Sequence, residues 1–507
     1  MASRRDELNA YTFAKRRTLA SFLRPSPSGS EEGAPKPLSA VWPGVVVGIV
    51  ILAVFGAIGL FSPTAPKGWD TPGEHVIVAS DSTTRYVVLE TGGDKQLHPV
   101  LNMASAKLLL DPSKNSIITV DEKVLDSGKP PHGTTIGIPY APDRLPSDAE
   151  AEKAKRWAVC ERPGEGGRAI QKAAFVLAEK EWDLTEGRNR LTGGDLMYVV
   201  GPDGRTQYVV DARGSAYEIS DSRNNELLKA LDTQGREPQR VSQDWLDTLH
   251  KGDPLEIPKI EGTPGEPAGA SDSLGEYDKV GMVIRAFEGR RMQYYVVQPG
   301  EVSRISEFTA TLLLNSTALV AVGQAGEAQQ VSPGAVVDSG TFGAEGNWPE
   351  YKPRMVNETG SATGRNAVCN VLRSVDAKSG TTTLSTWVGT NFPAQLPTGS
   401  SSAYVTPGSG QLYRQFKGTE TAAGSVFLVT DTGLRYAMQS NSDSTTDDEG
   451  IGTSKERREQ ELNEARIAQT RLGYEKIGPT PIPAEWSTFL PTGPRLSEAA
   501  ARQPQGS

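Results

Sequence analysis

The chain has 507 residues, of which 23% are charged and 37% are hydrophobic, and only two are cysteines. This length allows more than one domain, and the composition argues against both wholesale disorder and a polytopic membrane protein. Residues 1–38 hold seven basic and four acidic side chains, whereas the rest of the chain holds 46 basic and 58 acidic ones. The body is therefore too acidic for a nucleic-acid-binding protein.

The N-terminal residues 1–38 form a basic segment that ends in a proline-rich linker. Apolar side chains mixed with arginines predict a basic amphipathic stretch on the cytoplasmic side of a membrane. Its candidate contact residues are Arg4, Arg5, Leu8, Tyr11, Arg16 and Arg17. The residues alone leave open whether the stretch binds anionic lipid, docks on a cytosolic partner, or only orients the chain in the membrane.

A long uncharged run follows, from Leu38 to Pro66. At about 1.5 Å per residue it can cross a hydrocarbon core of about 30 Å, so we predict one transmembrane helix over 39–61 and a linker over 62–75. The basic residues before it place the N-terminus in the cytoplasm, and no good cleavage site for a signal peptide follows it. The candidate anchor residues are Trp42, Gly44, Gly48 and Phe61. Gly44 and Gly48 have the GxxxG spacing of close helix pairs, although glycine is common in single spans.

The remaining residues are then extracytoplasmic, where thiols tend to be oxidised. Cys160 and Cys369 end the similar strings WAVC and NAVC, 209 positions apart. We predict that they form a disulfide. Its role is structural, because no Cys-x-x-Cys motif suggests redox catalysis.

The extracytoplasmic part is internally duplicated, since several strings recur at nearly constant offsets. Tyr86-Val87-Val88 recurs at 295–297, Ala106–Leu110 at 310–314, and Trp245 and Leu249 of the string W-x3-L-x2-G-x2-L recur as Trp486 and Leu490. We predict two halves, 76–259 and 277–499, with a Gly/Pro-rich linker 260–276 between them and a tail 500–507. Trp245, Leu249, Trp486 and Leu490 are the candidate packing residues of the repeats. Each half is expected to hold two modules that open with a β-hairpin and continue into a short helix. One such hairpin is LMYVVGPDGRTQYVV from Leu196, with a Pro-Asp-Gly turn, and two such helices start at Asn224 and Ser306, whose side chains can cap the first turn.

The second half carries an additional charged segment, 441–469. Its string ERREQELNEARIAQ predicts an exposed helix with few apolar positions. A solvated insertion is favoured over a docking arm for such a run of charges.

Motifs for catalysis are sparse. The sequence has neither a GxxxxGK[ST] phosphate loop nor an HExxH zinc motif, and its four histidines lie far apart. We therefore predict no metal and no cofactor. Asp126 and Asp338 each start an Asp-Ser-Gly string after two hydrophobic residues, which resembles the paired aspartates of bilobal aspartic proteases. The alternative for both strings is a turn that ends a strand.

Several longer strings together resemble the EccB family, the single-pass membrane component of actinobacterial type VII (ESX) secretion. They are RRDELNAYTFAKRR from Arg4, LHPVLNMASAKL from Leu97, IGIPYAPDRLP from Ile136, WAVC from Trp157, and WSTFLPTGPRLS from Trp486. The resemblance runs from Arg4 to about residue 499.

This resemblance implies an α+β fold, with one N-terminal transmembrane helix and an elongated, internally duplicated β-rich body. A central β domain crossed by the disulfide is flanked by four repeat modules similar to a phage-lysin wall-binding fold. The implied partners are an FtsK/SpoIIIE-type ATPase, a multi-span channel-like subunit and further copies of the chain. The implied location is the cell membrane.

Three functions are compatible with these features. The first is a non-enzymatic scaffold of the type VII secretion complex, supporting export of WxG100-type substrates. The second is a membrane-anchored module that binds the cell wall, and the third is an aspartic-type surface protease using Asp126 and Asp338. ATPase activity has been proposed for the family, but the missing phosphate loop argues against it here.

Overall fold

The fold is mixed α+β with a β-rich body, as the sequence predicts. The computed structural model describes residues 4–23, 41–61, 65–164, 169–324, 326–343, 347–359, 364–397, 402–438 and 455–505, without the side chains of 56–61 and 455–462. The chain divides into two compact units. One comprises residues 1–69, 79–83 and 119–129, and the other comprises the rest.

Two helices open the first compact unit: α1 (Arg4–Leu23) and α2 (Val41–Phe61). Helix α2 covers residues 41–61 of the predicted transmembrane segment 39–61, and residues 39 and 40 lie outside the described part. Among the residues whose side chains are described, no helix is both long and apolar enough to cross a membrane. The transmembrane helix therefore stays a prediction.

The first sheet has the strand order β3-β2-β1-β4. Its elements are β1 (His75–Ala79), β2 (Arg85–Thr91), β3 (Asp94–Val100), helix α3 (Met103–Leu109) and β4 (Ser116–Val120). Asn102 starts α3 because its side chain accepts a hydrogen bond from the Ser105 amide. The short helix α4 (Glu122–Leu125) belongs to the first compact unit.

The next elements are α5 (Asp148–Glu152), β5 (Arg156–Arg162) and β6 (Gln171–Leu177), followed by two short 3₁₀ segments. The second sheet has the order β10-β7-β8-β9-β11. Its elements are β7 (Asp195–Val200), β8 (Gln207–Val210), β9 (Ser215–Glu218), helix α6 (Asn225–Ala230), β10 (Gln239–Arg240), helix α7 (Gln243–Leu246) and β11 (His250–Lys251). The β7–β8 hairpin and the Asn224 cap of α6 are where the sequence predicts them.

The third sheet has the order β15-β12-β13-β14-β16. Its elements are β12 (Val283–Glu288), β13 (Arg291–Gln298), β14 (Glu301–Ile305), helix α8 (Glu307–Leu314), β15 (Gln329–Gln330) and β16 (Asp338–Thr341). Residues of the predicted linker 260–276 pack on this sheet. Ile260, Ala268 and Ala270 contact its core, and the Gly265 amide donates to the Val280 carbonyl at 2.9 Å.

Strand β17 (Arg354–Met355) pairs with β7. The central sheet has the order β19-β18-β5-β6-β20, and the fourth sheet has the order β23-β22-β21-β24. Their remaining elements are β18 (Ala367–Val375), β19 (Thr382–Gly389), β20 (Ala403–Val405), β21 (Gly410–Phe416), β22 (Val426–Thr430), β23 (Arg435–Ala437), helix α9 (Lys455–Leu472), β24 (Thr480–Pro483), helix α10 (Ala484–Ser487) and helix α11 (Glu498–Ala501).

The same topology recurs in the four outer sheets of the described chain. Each has a three-stranded meander, then a helix, then a short strand beside the first meander strand. A further parallel contact lies beside the last meander strand. It is β11 in the second sheet, β16 in the third, and the bridges Leu97–His132 and Arg435–Thr492 in the first and fourth. We call each such sheet with its helix a module, first to fourth.

Helices join these modules in two similar pairs. Helix α3 of the first module packs on α9 of the fourth, and α6 of the second module packs on α8 of the third. Each pair shares an apolar core. Ala465, Ala468 and Leu472 of α9 lie in the first core, and Phe308 and Leu312 of α8 lie in the second.

One expectation about exposure needs correction. Within the predicted insertion 441–469, residues 441–454 lie outside the described part, and the helix prediction holds for α9. Its full exposure is wrong, because Ala465 and Ala468 fall on one helical face and are buried. In the predicted tail 500–507, the described residues 500–505 contact the rest of the chain. Ala501 is fully buried, and the backbone N–H of Gln505 donates to the Thr135 carbonyl at 2.8 Å.

Candidate functional site

The centre of the second compact unit is a strand pair joined by the disulfide. Strands β5 and β18 are antiparallel neighbours, and Cys160 is directly opposite Cys369. Their Cα atoms are 4.1 Å apart and the two sulfurs are bonded. The predicted disulfide is therefore confirmed. It joins adjacent central strands that are 209 residues apart in the chain.

The alternation of side chains gives the central sheet two different faces. Cys160 and Cys369 lie on one face, which we call the disulfide face, and pack with Phe175 and Trp387. Trp157 and its same-face neighbours lie on the opposite face, which we call the module face. The module face shares one apolar core with the second and fourth modules. The central sheet is thus buried on both sides.

Both predicted repeat tryptophans lie in the core of the module face. Trp245 is fully buried and donates its indole N–H to the Val159 carbonyl of β5 at 3.2 Å. Trp486 of α10 is buried in the same core, with Leu490 buried and Leu249 half-buried beside it. The two copies of the sequence motif therefore meet at the central sheet.

The motif glycines have a packing role that the sequence did not reveal. A Cβ placed on Gly252 would lie 2.3 Å from the Tyr217 ring, and one on Gly493 would lie 2.5 Å from the Tyr436 ring. Tyr217 and Tyr436 occupy the last meander strand of the second and fourth modules. Comparing the aromatic residues at corresponding positions of the two halves could have revealed Tyr217 and Tyr436 from the sequence.

A buried carboxylate connects β5 to the second module. Glu161 is fully buried, and its two oxygens accept from the Ser242 amide at 2.8 Å and the Ser242 hydroxyl at 2.5 Å. Ser242 in turn caps α7, the helix that carries Trp245. Burial raises the pKa of Glu161, and the Ser242 hydrogen bonds and the Lys172 charge oppose that rise.

The two Asp-Ser-Gly strings adopt different structures. Asp126 follows the last residue of α4 and is exposed. Asp338 starts β16, is exposed, and has an ion pair with Arg304 at 3.2 Å. The structure gives the protease hypothesis no additional support. Among the described residues, no group of three or more His, Cys, Asp or Glu side chains is placed to hold a metal ion.

The predicted anchor and docking residues lie in the first compact unit. The exposed residues on α1 are Arg4, Arg5, Leu8, Tyr11, Arg16 and Arg17, and those on α2 are Trp42 and Gly44. Gly48 of α2 is half-buried, and the side chain of Phe61 lies outside the described part. With successive residues about 100° apart, Lys15 falls on the same side of α1 as Leu8 and Leu19. Polar and apolar side chains are therefore mixed around α1 rather than separated. The roles of these residues stay predictions.

A family model described as "Type VII secretion system ESX-1, transport TM domain B" matches residues 1–506 of the chain. The ESX-3 secretion system ATPase EccB3 of Mycobacterium tuberculosis is 27% identical over 502 residues, which cover 92% of this chain and 83% of that protein. The ESX-1 secretion system ATPase EccB1 of Mycolicibacterium smegmatis is 26% identical over 276 residues, which cover 54% of this chain and 53% of that protein. The chain thus spans about half the length of that relative.

Two solved structures share the fold. A chain of an intact ESX-5 inner membrane complex has a TM-score of 0.56 at 22% identity, covering 100% of this chain and 96% of that one. The EccB3 dimer from the ESX-3 core complex has a TM-score of 0.55 at 22% identity, covering 84% of this chain and 99% of that one.

Proposed function

The chain belongs to the EccB family of type VII secretion systems, and on that premise we propose that it is a structural component of a membrane-embedded secretion complex. The observation that carries the proposal is the family match along residues 1–506. The shared fold with chains of ESX membrane assemblies supports it.

The proposed placement is a single-pass anchor with a cytoplasmic N-terminus. The uncharged run from Leu38 to Pro66 and the excess of basic residues before it support this topology. The disulfide is consistent with a body in an oxidising compartment. A reporter enzyme that is active only outside the cytoplasm should be active when it is fused after Ser507. The same reporter should be inactive when it is fused before Met1. The reverse pattern would contradict the topology.

The proposed role of the body is to hold the modules in fixed relation within the complex. The module face of the central sheet packs against the second and fourth modules, and the helix pairs α3–α9 and α6–α8 connect the others. These continuous cores favour a rigid scaffold. The proposed partners are an FtsK/SpoIIIE-type ATPase, a multi-span subunit and further copies of this chain.

We further propose that the chain itself does not hydrolyse ATP, although its relatives are named ATPases. The absence of a GxxxxGK[ST] string from the sequence supports this. The purified chain should release no phosphate from ATP above a buffer blank. Release that scales with the concentration of the chain after a further purification step would contradict it.

The main test is extraction of the tagged chain from its native membrane in mild detergent, followed by native electrophoresis and mass spectrometry. The proposal expects one large assembly that contains an FtsK-like ATPase and a multi-span subunit. Recovery of the chain only as a free monomer or dimer, under conditions that keep the multi-span subunit intact, would overturn it.

A further inference from the structure

One corner of the central sheet gathers three arginines around a single carboxylate. Arg156 of β5 donates to Glu186 Oε1 at 2.7 Å, and Arg190 donates to Glu186 Oε2 at 2.8 Å. Arg373 of β18 also donates to Glu186 Oε1. Glu186 lies between the two 3₁₀ segments that connect β6 to β7, and Arg190 directly follows the second of them. We call these four residues the arginine corner.

The arginine corner carries two positive charges more than its carboxylate neutralises. Among the described residues, the other acceptors of Arg156 and Arg373 are uncharged: the Trp182 carbonyl, the Thr185 hydroxyl and the Ser385 hydroxyl. These groups satisfy hydrogen bonds without balancing charge. Burial lowers the pKa of Arg156, and the neighbouring Arg373 charge lowers it further.

One donor of the corner also lacks an acceptor. Arg373 Nη2 is buried and has no hydrogen-bond partner among the described residues. A buried guanidinium N–H without an acceptor is costly, so this nitrogen favours an additional oxygen ligand.

Two arginines of the arginine corner are largely buried, whereas Arg190 and Glu186 are partly exposed. The side chains of Arg156 and Arg373 are 12% and 14% exposed, whereas those of Arg190 and Glu186 are 41% and 28% exposed. The Trp182 ring lies against the Arg156 guanidinium, 4.6 Å from ring centroid to Cζ. This contact fixes the direction of the arginine. A small ligand therefore reaches the cluster from the side of Arg190.

We propose that the arginine corner binds a dianionic phosphoryl group. Two uncompensated charges match the charge of a phosphate dianion, and planar guanidinium groups match the geometry of its oxygens. A monocarboxylate would neutralise only one of the two charges. The site is independent of the proposed scaffold role, because it depends on side chains of a single chain.

The test titrates inorganic phosphate into the purified full-length chain in detergent at pH 7.5 and measures heat by calorimetry. Sodium chloride keeps the ionic strength constant, since exposed charges are screened by salt. Saturable binding at one site per chain is expected. Arg190→Gln removes the most accessible donor and should weaken binding about tenfold or more. Glu186→Gln removes the competing carboxylate and should strengthen it.

Arg236→Gln is the matched control. Arg236 pairs with Asp232 four residues earlier, as Arg190 pairs with Glu186, but in a balanced one-to-one pair. This variant should bind phosphate like the unmodified chain.

Competition titrations identify the form of the ligand. Glycerol phosphate that displaces phosphate points to a terminal phosphomonoester, and failure to displace it points to the free ion, so both results keep the site. The proposal is overturned by the absence of saturable binding, by equal affinities of Arg190→Gln and Arg236→Gln, or by acetate that competes as well as phosphate.

Discussion

Glu161 is a carboxylate in a buried position, where its negative charge is unfavourable. It is fully buried at the junction of β5 and the Ser242 cap, and burial raises its pKa above the ordinary value of 4.5. The folded state then binds a proton more tightly than the unfolded state does. This contribution to stability is full below pH 4.5 and is lost as the pH rises through the folded-state pKa.

The prediction uses Glu161→Gln, which keeps the shape of the side chain and removes its titration. Acidification from pH 7.5 to 5 should raise the Tm of the unmodified chain relative to that of the variant. Thermal unfolding at both pH values measures this difference. Ser242→Ala is a useful companion, because it removes one donor and leaves the carboxylate. Identical pH dependence of the unmodified chain and Glu161→Gln would contradict the assignment.

Gly493 tests the contact between the repeat motif and its tyrosine. A Cβ there would be 2.5 Å from a carbon of the buried Tyr436 ring, and a ring in a packed core cannot easily move. We predict that Gly493→Ala lowers the free energy of unfolding by about 1–3 kcal/mol. Denaturant titration measures it.

Gly478→Ala is the control for that substitution. A Cβ on Gly478 has no atom within 4 Å, and the residue follows α9 of the same module. Its effect should stay within about 0.5 kcal/mol. Equal losses for the two variants would show that the Tyr436 contact is not the cause.

At the scale of elements, helix α9 buries a small side chain and exposes a larger apolar one beside it. Ala468 is 3% exposed against the first module, while the adjacent Ile467 is 45% exposed. We predict that Ala468→Glu strongly lowers the Tm, because a charge would enter an apolar core. Ile467→Glu should change the Tm little, although it removes a larger apolar side chain. Circular dichroism melts compare the two, and the opposite ranking would show that α9 does not pack on the first module.

Local patterns made many of these elements predictable from the sequence. The β7–β8 hairpin has a Pro-Asp-Gly turn between two β-rich runs, and Ser306 caps α8 through the Thr309 amide. The cysteine strings also carried enough information to predict the disulfide. In each case neighbouring residues determine the local geometry, so a short window of sequence is sufficient.

Contacts that are distant in sequence were not predictable in this way. Strand β10 has only two residues and forms by pairing with β7, which leaves no periodic pattern to recognise. Strand β24 contains Pro481 and Pro483, which argue against a strand except at a sheet edge, where it lies. The Glu161–Ser242 contact spans 81 positions, and the arginine corner joins two central strands to the connection between β6 and β7.

At the scale of the whole molecule, the pairing of β5 with β18 connects the two predicted halves of the sequence. Cys160 belongs to the first half and Cys369 to the second, and the core of the module face contains residues of both. The two halves therefore do not bury separate central cores. We expect the second compact unit to unfold cooperatively rather than half by half.

The disulfide should contribute to the stability of this cooperative unit. Closing a loop of 209 residues is worth about 5 kcal/mol in the chain-entropy model, which is a maximum because the unfolded chain retains some structure. We predict that Cys160→Ala combined with Cys369→Ala lowers the free energy of unfolding by about 2–5 kcal/mol. The β5–β18 backbone pairing should persist, because the hydrogen bonds and both buried faces remain. Denaturant titration measures the loss, and detergent extraction should still recover the complex at low temperature. An unchanged denaturation midpoint would show that packing alone holds the central strands together.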